Sequence, residues 1–286
     1  MALQEYLKLV RIKQWYKNLV IFLPLFFSGH LLDLWDLKFT IGGLICLCLA
    51  SSANYIINDL VDFKKDQLHP EKKIRPLAAG LVRKSSAFFL ALILFAISLG
   101  GGYYLNLYFF YSLAGLVVLT QIYTFFLKNI IFADILTIAT LFVIRAISGA
   151  FLIEVKISPW LILCPFFLSL FLSIGKRHSD LLLLKDKAAE TRKVLQYYTL
   201  ELTNSLMIIS TTLLIISYAL YSFLSEHTNL LYTLPFALFV IFRFFSLINK
   251  GSEIARHPEK VIRDKAMIIG IVLWVIITIV VIYVKR

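Results

Sequence analysis

Residues 39–66 read FTIGGLICLCLASSANYIINDLVDFKKD, an apolar run that ends in a cluster of acidic side chains. The apolar part, residues 39–57, approaches the roughly 20 residues that an α-helix needs to cross a hydrocarbon layer of about 30 Å. It is too long and too continuous for a strand of a membrane β-barrel, which has about 10 residues of alternating polarity. The stretch therefore predicts a membrane-spanning helix that ends at a charged, water-facing boundary.

The rest of the chain repeats this alternation of apolar runs and charged segments. Of its 286 residues, 60% are hydrophobic and 16% are charged, whereas soluble domains are about 45–50% apolar and about 25% charged. The composition excludes an ordinary soluble domain. We expect an all-α, polytopic membrane protein: a single domain over residues 1–286, with an amphipathic segment at 1–14 and a bundle of nine transmembrane helices. The predicted spans are 19–32, 39–57, 86–102, 107–126, 131–153, 160–174, 205–224, 230–247 and 266–284.

The basic residues indicate how these spans are oriented. If the N-terminus is cytoplasmic, 23 of the 29 Lys and Arg residues fall in cytoplasmic segments, and the C-terminal pair Lys285 and Arg286 is the main exception. By the positive-inside rule, we expect a multi-pass protein of the cell membrane whose N-terminus and active site are cytoplasmic. Because the basic residues form no soluble face, nucleic-acid binding is not indicated. The three cysteines lie inside apolar runs, which argues against a disulfide framework or a zinc site.

Four oxygen-bearing side chains share one helix face at the acidic end of the quoted stretch, because residues three or four apart are neighbours on a helix. They are Asn58, Asp59, Asp62 and Asp66. Three carboxylates on one stripe repel one another unless a cation is bound, and a ligand set made only of oxygen suits Mg²⁺. The alternative is a solvated helix end whose carboxylates pair with Lys64, Lys65 and Lys72.

Two further basic side chains, Lys73 and Arg75, follow the acidic stripe closely enough to fold back over it. A metal ion together with fixed cations can neutralise the oxygens of a diphosphate leaving group. The combination therefore predicts a diphosphate site at this end of the helix.

The pattern Asn58-Asp59-x-x-Asp62-x-x-x-Asp66, at the end of the second of nine predicted helices, resembles the first aspartate-rich motif of the UbiA prenyltransferase superfamily. The resemblance extends over essentially the whole chain. It implies an intramembrane cavity that opens to the cytoplasm, in which Mg²⁺ on this motif holds a diphosphate. Asp59, Asp62 and Asp66 would be catalytic through that ion, with Asn58 as a further ligand.

One segment departs from the aromatic prenyltransferases of the superfamily, which carry a second aspartate-rich cluster after helix six. Here that position reads Gly175-Lys176-Arg177-His178-Ser179-Asp180, which is mainly basic and suits a free phosphate better than a second metal ion. With this feature and four further motifs, the chain is similar to the decaprenyl-phosphate phosphoribosyltransferase branch. The motifs are Arg11-x-x-Gln14-Trp15-x-Lys17-Asn18, Arg75-Pro76-x-Ala78-Ala79-Gly80, Tyr123-x-x-x-Leu127-Lys128 and Arg145-Ala146-x-Ser148-Gly149. The resemblance implies a set of substrate-binding side chains: Lys17, Lys73, Arg75, Tyr123, Lys128, Arg145, Lys176, Arg177 and Asp180.

Arg145 is the one member of that set predicted to lie deep inside a span. An ionisable side chain at that depth is a candidate for function by default. The alternative is a structural role, as the partner of Asp134 in an ion pair or of a carbonyl group in a broken helix.

The resemblance favours an enzyme that transfers 5-phosphoribosyl from phosphoribosyl diphosphate (PRPP) to a polyprenyl phosphate of the decaprenyl type and releases diphosphate. PRPP, the polyprenyl phosphate and membrane lipids would be its partners, and a homo-oligomer is possible. The first alternative is a prenyltransferase that moves a prenyl group from a prenyl diphosphate to an aromatic or other small acceptor. The second is a transporter of lipids or anions, which would show inverted repeats and broken helices.

Overall fold

The computed structural model describes residues 2–68, 72–184 and 192–284, so the predicted C-terminal charges Lys285 and Arg286 lie outside the described residues. The described residues form helices joined by turns, and no strand occurs among them. Eight helices in this part of the chain are long and apolar enough to cross a membrane: Leu34–Val61, Lys84–Leu105, Leu107–Phe125, Ala133–Leu152, Pro159–Leu184, Leu200–Leu224, Asn229–Asn249 and Lys265–Val284. The predicted all-α membrane architecture is confirmed, with eight long spans where the sequence predicts nine.

We number the α-helices in chain order. They are α1 (Ala2–Val10), α2 (Leu23–Phe27), α3 (Leu34–Val61), α4 (Phe63–Leu68), α5 (Lys84–Leu105), α6 (Leu107–Phe125), α7 (Ala133–Leu152), α8 (Pro159–Leu184), α9 (Leu200–Leu224), α10 (Leu234–Asn249), α11 (Glu253–Arg256) and α12 (Lys265–Ile279). Short 3-10 helices join several of them, and α12 continues as a π-helix, Val280–Val284.

The structure differs from the prediction at residues 19–32, where no long α-helix forms. The chain instead runs as a 3-10 helix, Ile12–Phe22, followed by the five-residue helix α2, near whose start Pro24 lies. Trp15 Nε1 donates to Ser52 Oγ of α3 at 3.0 Å, so contacts with α3 help to fix the course of this segment. At about 2.0 Å per residue in a 3-10 helix and about 1.5 Å in an α-helix, residues 12–27 still extend roughly 30 Å, the thickness of the hydrocarbon layer.

Side-chain caps fix where several spans begin. The carboxylate of Asp33 accepts hydrogen bonds from two N–H groups of the first turn of α3 at 2.8 and 3.1 Å, so this helix starts five residues before the predicted boundary at residue 39. Asn106, Thr199 and Asp264 cap α6, α9 and α12 in the same way. Such caps supply acceptors for the N–H groups that have no partner inside the helix.

The first of two compact units comprises Met1–Lys128 and Ile144–Ile157. In this unit α5 packs along α3, and Ser98 Oγ donates to the carbonyl oxygen of Cys46 at 2.7 Å. Leu9 of α1 is fully buried in the same core, so the amphipathic N-terminal helix packs on the unit. The buried core comprises Leu9, Ala53, Ile56, Leu77, Val82, Ala87, Ala91 and Leu94.

The second compact unit comprises Asn129–Val143 and Ser158–Arg286. Here α9 packs along α8, and the ring of Phe171 lies 5.8 Å from that of Phe244 and 6.1 Å from that of Phe245. This aromatic cluster holds the middle of α8 and so positions the polar residues at its cytoplasmic end in the predicted orientation. A single domain over residues 1–286 stays a prediction.

Candidate functional site

The acidic stripe predicted from the sequence forms where α3 ends. The N–H of Asp62 donates to the carbonyl of Asn58, and the N–H of Asp66 donates to the carbonyl of Asp62, each at 2.9 Å. The hydrogen-bond pattern of a helix therefore continues through the break between α3 and α4. Asp59 and Asp66 are each only 3% exposed. Carboxylates buried to this extent require a cation or hydrogen-bond donors.

Arg75 supplies a cation to two of these carboxylates at once. Its Nη1 lies 3.0 Å from Oδ1 of Asp59 and 2.6 Å from Oδ2 of Asp66. Burial raises the pKa of the Asp66 carboxyl, while the charges of Arg75 and Lys72 act in the opposite direction. Because one nitrogen atom of Arg75 contacts both Asp59 and Asp66, the two carboxylates converge on one point, which this guanidinium occupies.

Arg11, which is not among the predicted site residues, supplies a second guanidinium at the stripe. Its Nη2 donates to Oδ1 of Asp59, and its guanidinium carbon lies 4.9 Å from the centroid of the Tyr55 ring. Its φ of +54° is in the left-handed region, which residues other than glycine rarely adopt. Strained residues of this kind concentrate at functional sites. In the sequence, the signal for Arg11 is its place in the basic segment before residue 19.

Lys128 binds the third carboxylate. Its Nζ lies 2.8 and 2.7 Å from the two carboxylate oxygens of Asp62 and 3.4 Å from Oδ1 of Asn58. Lys65, next to the stripe in the sequence, is exposed and 4.0 Å from Asp62. The short ion pairs of the stripe therefore come from Arg11, Arg75 and Lys128, which lie outside the helix that carries it, and the charge of Lys72 also acts on Asp66.

The oxygen atoms of the stripe form two groups. Asp59 and Asp66 both contact Arg75, and Asn58 and Asp62 both contact Lys128. Among the described residues, no three acidic, cysteine or histidine side chains are grouped closely enough to hold a metal ion by themselves. Asp59 and Asp66 do converge, since both reach Arg75. Mg²⁺ is usually bound by one or two carboxylates, with waters and substrate phosphates as the other ligands. The residues present fit such an ion at Asp59 and Asp66, with Asp62 and Asn58 beside them, provided that Arg75 moves aside.

A layer of polar side chains lies along α3, farther from its charged end. Arg145 Nε donates to Asn18 Oδ1 at 2.9 Å, and Ser51 Oγ donates to the same oxygen at 3.2 Å. The amide nitrogen of Asn18 contacts Cys48 Sγ at 3.4 Å. The structure thus places Arg145 in a buried polar network of the first unit.

The remaining predicted residues of the first unit differ in their surroundings. Lys17 Nζ lies 5.9 Å from the centroid of the Tyr16 ring. Tyr123 is half-buried on α6, and Lys73 is exposed in the 3-10 turn Lys72–Ile74. Of the predicted substrate-binding cations in this unit, the structure brings Arg75 and Lys128 into direct contact with the acidic stripe.

In the second unit, Arg177 forms a buried ion pair that the sequence does not indicate. Its Nε donates to Oδ2 of Asp134 at 3.0 Å, and the hydroxyl of Tyr198 donates to Oδ1 of the same carboxylate at 2.8 Å. Arg192 lies 3.5 Å from Asp134. The side chains of Arg177 and Asp134 are 2% and 0% exposed. Asp134, predicted only as an alternative partner for Arg145, is therefore bound by Arg177 and Tyr198.

The neighbours of Arg177 on α8 have different environments. Asp180 accepts a hydrogen bond from Nε of Arg256 at 2.8 Å, and His178 Nδ1 lies 2.8 Å from Thr203 Oγ1. Lys176 is exposed. Arg256 is the last residue of the short helix α11, and the sequence contains no local pattern that connects it with Asp180, 76 residues earlier.

The fold and the sequence are both similar to those of known proteins. The family model "UbiA prenyltransferase family" matches residues 19–257. A relative named decaprenyl-phosphate phosphoribosyltransferase in Mycolicibacterium smegmatis is 32% identical over 94% of this chain and 89% of its own length. A protein of the same name in Corynebacterium glutamicum is 29% identical, over 97% and 86% of the two chains.

Among solved structures, a UbiA homolog from Archaeoglobus fulgidus bound to DMAPP and Mg²⁺ has a TM-score of 0.77 and 20% sequence identity. The similarity covers 98% of this chain and 99% of that one. With a family model that matches most of its length, the chain belongs to the UbiA prenyltransferase family and is a membrane-embedded transferase.

Proposed function

We propose that this enzyme transfers the 5-phosphoribosyl group of PRPP to the phosphate of a polyprenyl lipid at the cytoplasmic face of the membrane. The names of relatives that match nearly the whole chain support this substrate pair. The structural observation that carries the proposal is the environment of Asp180. It is the one carboxylate in residues 175–180, and it is bound to Arg256 at 2.8 Å. This segment therefore supplies no carboxylate pair for the second metal ion that the resemblance implies for aromatic prenyltransferases.

In the proposed reaction, the bond between ribose C1 and the diphosphate oxygen breaks, and a bond from C1 to an oxygen of the lipid phosphate forms. Asp59 and Asp66, with Asp62 and Asn58 beside them, would hold Mg²⁺, which when bound neutralises the negative charge that develops on the departing diphosphate. The lipid phosphate is already an anion near neutral pH, so its attack on C1 requires no general base.

Besides pairing with carboxylates, Arg75 would also bind the substrate. In the structure, Arg75 and Arg11 neutralise Asp59. If Asp59 and Asp66 held Mg²⁺, the guanidinium of Arg75 would be free to bind phosphate oxygens of the substrate, for which a bidentate guanidinium is well suited. Binding of an anionic substrate and release of the internal ion pairs are thus coupled.

The other phosphates would be held by the predicted basic residues. Lys17, Lys73, Lys128 and Arg145 are the candidates in the first unit. Lys176, which is exposed, is the candidate on α8. Arg177 and Asp180 stay predicted members of the set. Arg177 also forms an ion pair with Asp134, and Asp180 forms one with Arg256, so each has a structural role as well.

The deciding experiment is mass spectrometry of the lipid formed by purified enzyme in nanodiscs. We expect PRPP and a polyprenyl phosphate, with Mg²⁺, to give a lipid heavier by one phosphoribosyl group, and EDTA to stop the reaction. Free ribose 5-phosphate should not replace PRPP, because it has no diphosphate to leave. If prenyl diphosphate and an aromatic acid gave a prenylated product while PRPP stayed unused, the prenyltransferase alternative would be correct.

A further inference from the structure

A pair of buried amides lies on α3 and α6, one helical turn from the acidic stripe. Gln121 Nε2 of α6 donates to Oδ1 of Asn54 on α3. Asn54 is only 4% exposed, and Gln121 is half-buried. Neither residue belongs to the predicted set of site residues.

The amide nitrogen of Asn54 has no hydrogen-bond partner within the described residues, although the atom is buried. A buried donor without an acceptor carries the full penalty of its desolvation, which a structural amide pair normally avoids by pairing both ends. An apolar pair at these two positions would pack in a span without that penalty. The unpaired nitrogen therefore indicates an acceptor that a ligand brings.

The amide pair is aligned with the candidate diphosphate site. Asn54, Asn58 and Asp62 follow one another at intervals of four residues and share a face of α3, with about 6 Å of rise between successive members. Gln121, in the last part of α6, and Lys128, just beyond its end, bond to all three of these residues: Gln121 reaches Asn54, and Lys128 reaches Asn58 and Asp62. The free N–H of Asn54 thus lies about one turn from the phosphate-binding groups, on the side that leads into the membrane.

We propose that Asn54 is a specificity-determining residue that donates a hydrogen bond to a ring hydroxyl of the sugar diphosphate, with Gln121 as the residue that positions it. This inference rests on the proposed function and names the part of the donor that the site distinguishes. In a pentosyl diphosphate, the carbon beside the diphosphate-bearing carbon has a hydroxyl group, whereas a prenyl diphosphate has only hydrocarbon there. A site built to bond a hydroxyl rejects an analogue without it, because its buried polar group is then left unpaired.

The test compares three ligands on the purified, detergent-solubilised protein with Mg²⁺ present: PRPP, inorganic diphosphate and geranyl diphosphate. Binding is measured by titration calorimetry, so the readout does not depend on turnover. In Asn54→Leu we expect the dissociation constant for PRPP to rise about tenfold, which corresponds to about 1.4 kcal/mol. The constant for inorganic diphosphate should stay within about twofold, and the preference for PRPP over geranyl diphosphate should fall.

Two further variants keep the result interpretable. Gln121→Met removes the bond that orients Asn54. It should weaken PRPP binding less than Asn54→Leu does, and it should again leave the binding of inorganic diphosphate nearly unchanged. This variant tests the inference if Asn54→Leu does not fold. Ser98→Ala, at a buried hydroxyl bonded to the carbonyl of Cys46, is the matched control and should leave all three constants unchanged.

Equal losses for all three ligands would overturn the inference and make the amide pair a support for the acidic stripe. No loss for PRPP would overturn it as well. Both outcomes are distinct from failure of the proposed function, in which the wild-type enzyme forms no phosphoribosyl lipid. If the wild-type protein bound PRPP no more tightly than inorganic diphosphate, the sugar would not be recognised, and the inference would also be wrong.

Discussion

Arg177 and Asp134 form an ion pair whose side chains are almost completely shielded from solvent. Removing one partner of such a pair leaves the other as an unpaired buried charge, so we expect Arg177→Ala to lower the free energy of unfolding by about 3–5 kcal/mol. Thermal unfolding in detergent measures this loss. The double variant Arg177→Met, Asp134→Leu should recover part of this loss, because well-packed apolar residues can replace a buried ion pair, while the hydroxyl of Tyr198 loses its acceptor.

The same double variant separates the structural task of Arg177 from its predicted task in binding phosphate. If Arg177 only holds Asp134, the folded double variant should bind polyprenyl phosphate as the wild-type protein does. If Arg177 also contacts the substrate, part of the stability returns but the affinity for the lipid phosphate does not.

Asp62 is the carboxylate of the stripe whose removal disturbs packing least, since it is bound by Lys128 near the surface of the unit. We expect Asp62→Asn to abolish turnover and to weaken Mn²⁺ binding, measured by electron paramagnetic resonance, while the melting temperature changes little. The matched control is Asp33→Asn at the other end of α3, where asparagine can still cap the helix. Full activity in Asp62→Asn would contradict the metal assignment.

The sequence predicts which side chains share a face of one helix, and it does not predict the ion pairs that depend on tertiary contacts. Asn58, Asp59 and Asp62 share a face because of helical periodicity alone, and their grouping could be predicted. Arg11 reaches Asp59 through a left-handed turn, and Asp134 meets Arg177 across 43 residues of sequence. Neither contact has a local pattern that would reveal it.

Gly149 of α7 shows how closely elements of the first unit approach one another. A Cβ atom at this position would lie 2.1 Å from the carbonyl oxygen of Ile21 in the 3-10 helix. Because the obstacle is backbone, Gly149→Ala must force the two segments apart, and we expect a loss of about 1–3 kcal/mol or more, measured as a lower melting temperature. Gly115→Ala on α6, where a Cβ would have no neighbour within 4 Å, should be neutral or slightly stabilising. Equal effects of the two substitutions would contradict this interpretation.

The eight long spans could be predicted because hydropathy over about 20 residues is sufficient to identify them. The 3-10 helix Ile12–Phe22 could not, since hydropathy measures composition and carries no information about hydrogen bonds to another helix. Trp15 and Asn18 bond to Ser52 and Ser51 of α3. These contacts help to fix the course of a segment whose own sequence indicates only a weakly apolar run.

For the molecule as a whole, the testable quantity is its orientation in the membrane. Glu226 and Lys250 are exposed on either side of the span Asn229–Asn249, whereas Cys46 and Cys48 are buried. In intact cells treated with a membrane-impermeant maleimide, we expect Glu226→Cys to react and Lys250→Cys to react only after the cells are opened. The wild-type protein is the control for its own cysteines. The reverse pattern would place the acidic stripe on the outer side and contradict a cytoplasmic active site.

The bond between Asn18 and Arg145 also bears on how the protein is made. The two residues are 127 positions apart, so at about 5–20 residues per second the ribosome completes Arg145 roughly 6–25 s after Asn18. During that interval the segment around Asn18 lacks two contacts: the bond from Arg145 and the packing against Gly149. The segment also contains Lys13 and Lys17, and lysines oppose entry into the bilayer from the translocon. We therefore expect nascent chains stalled before residue 145 to leave this segment open to the cytoplasm, and its insertion to follow the synthesis of α7.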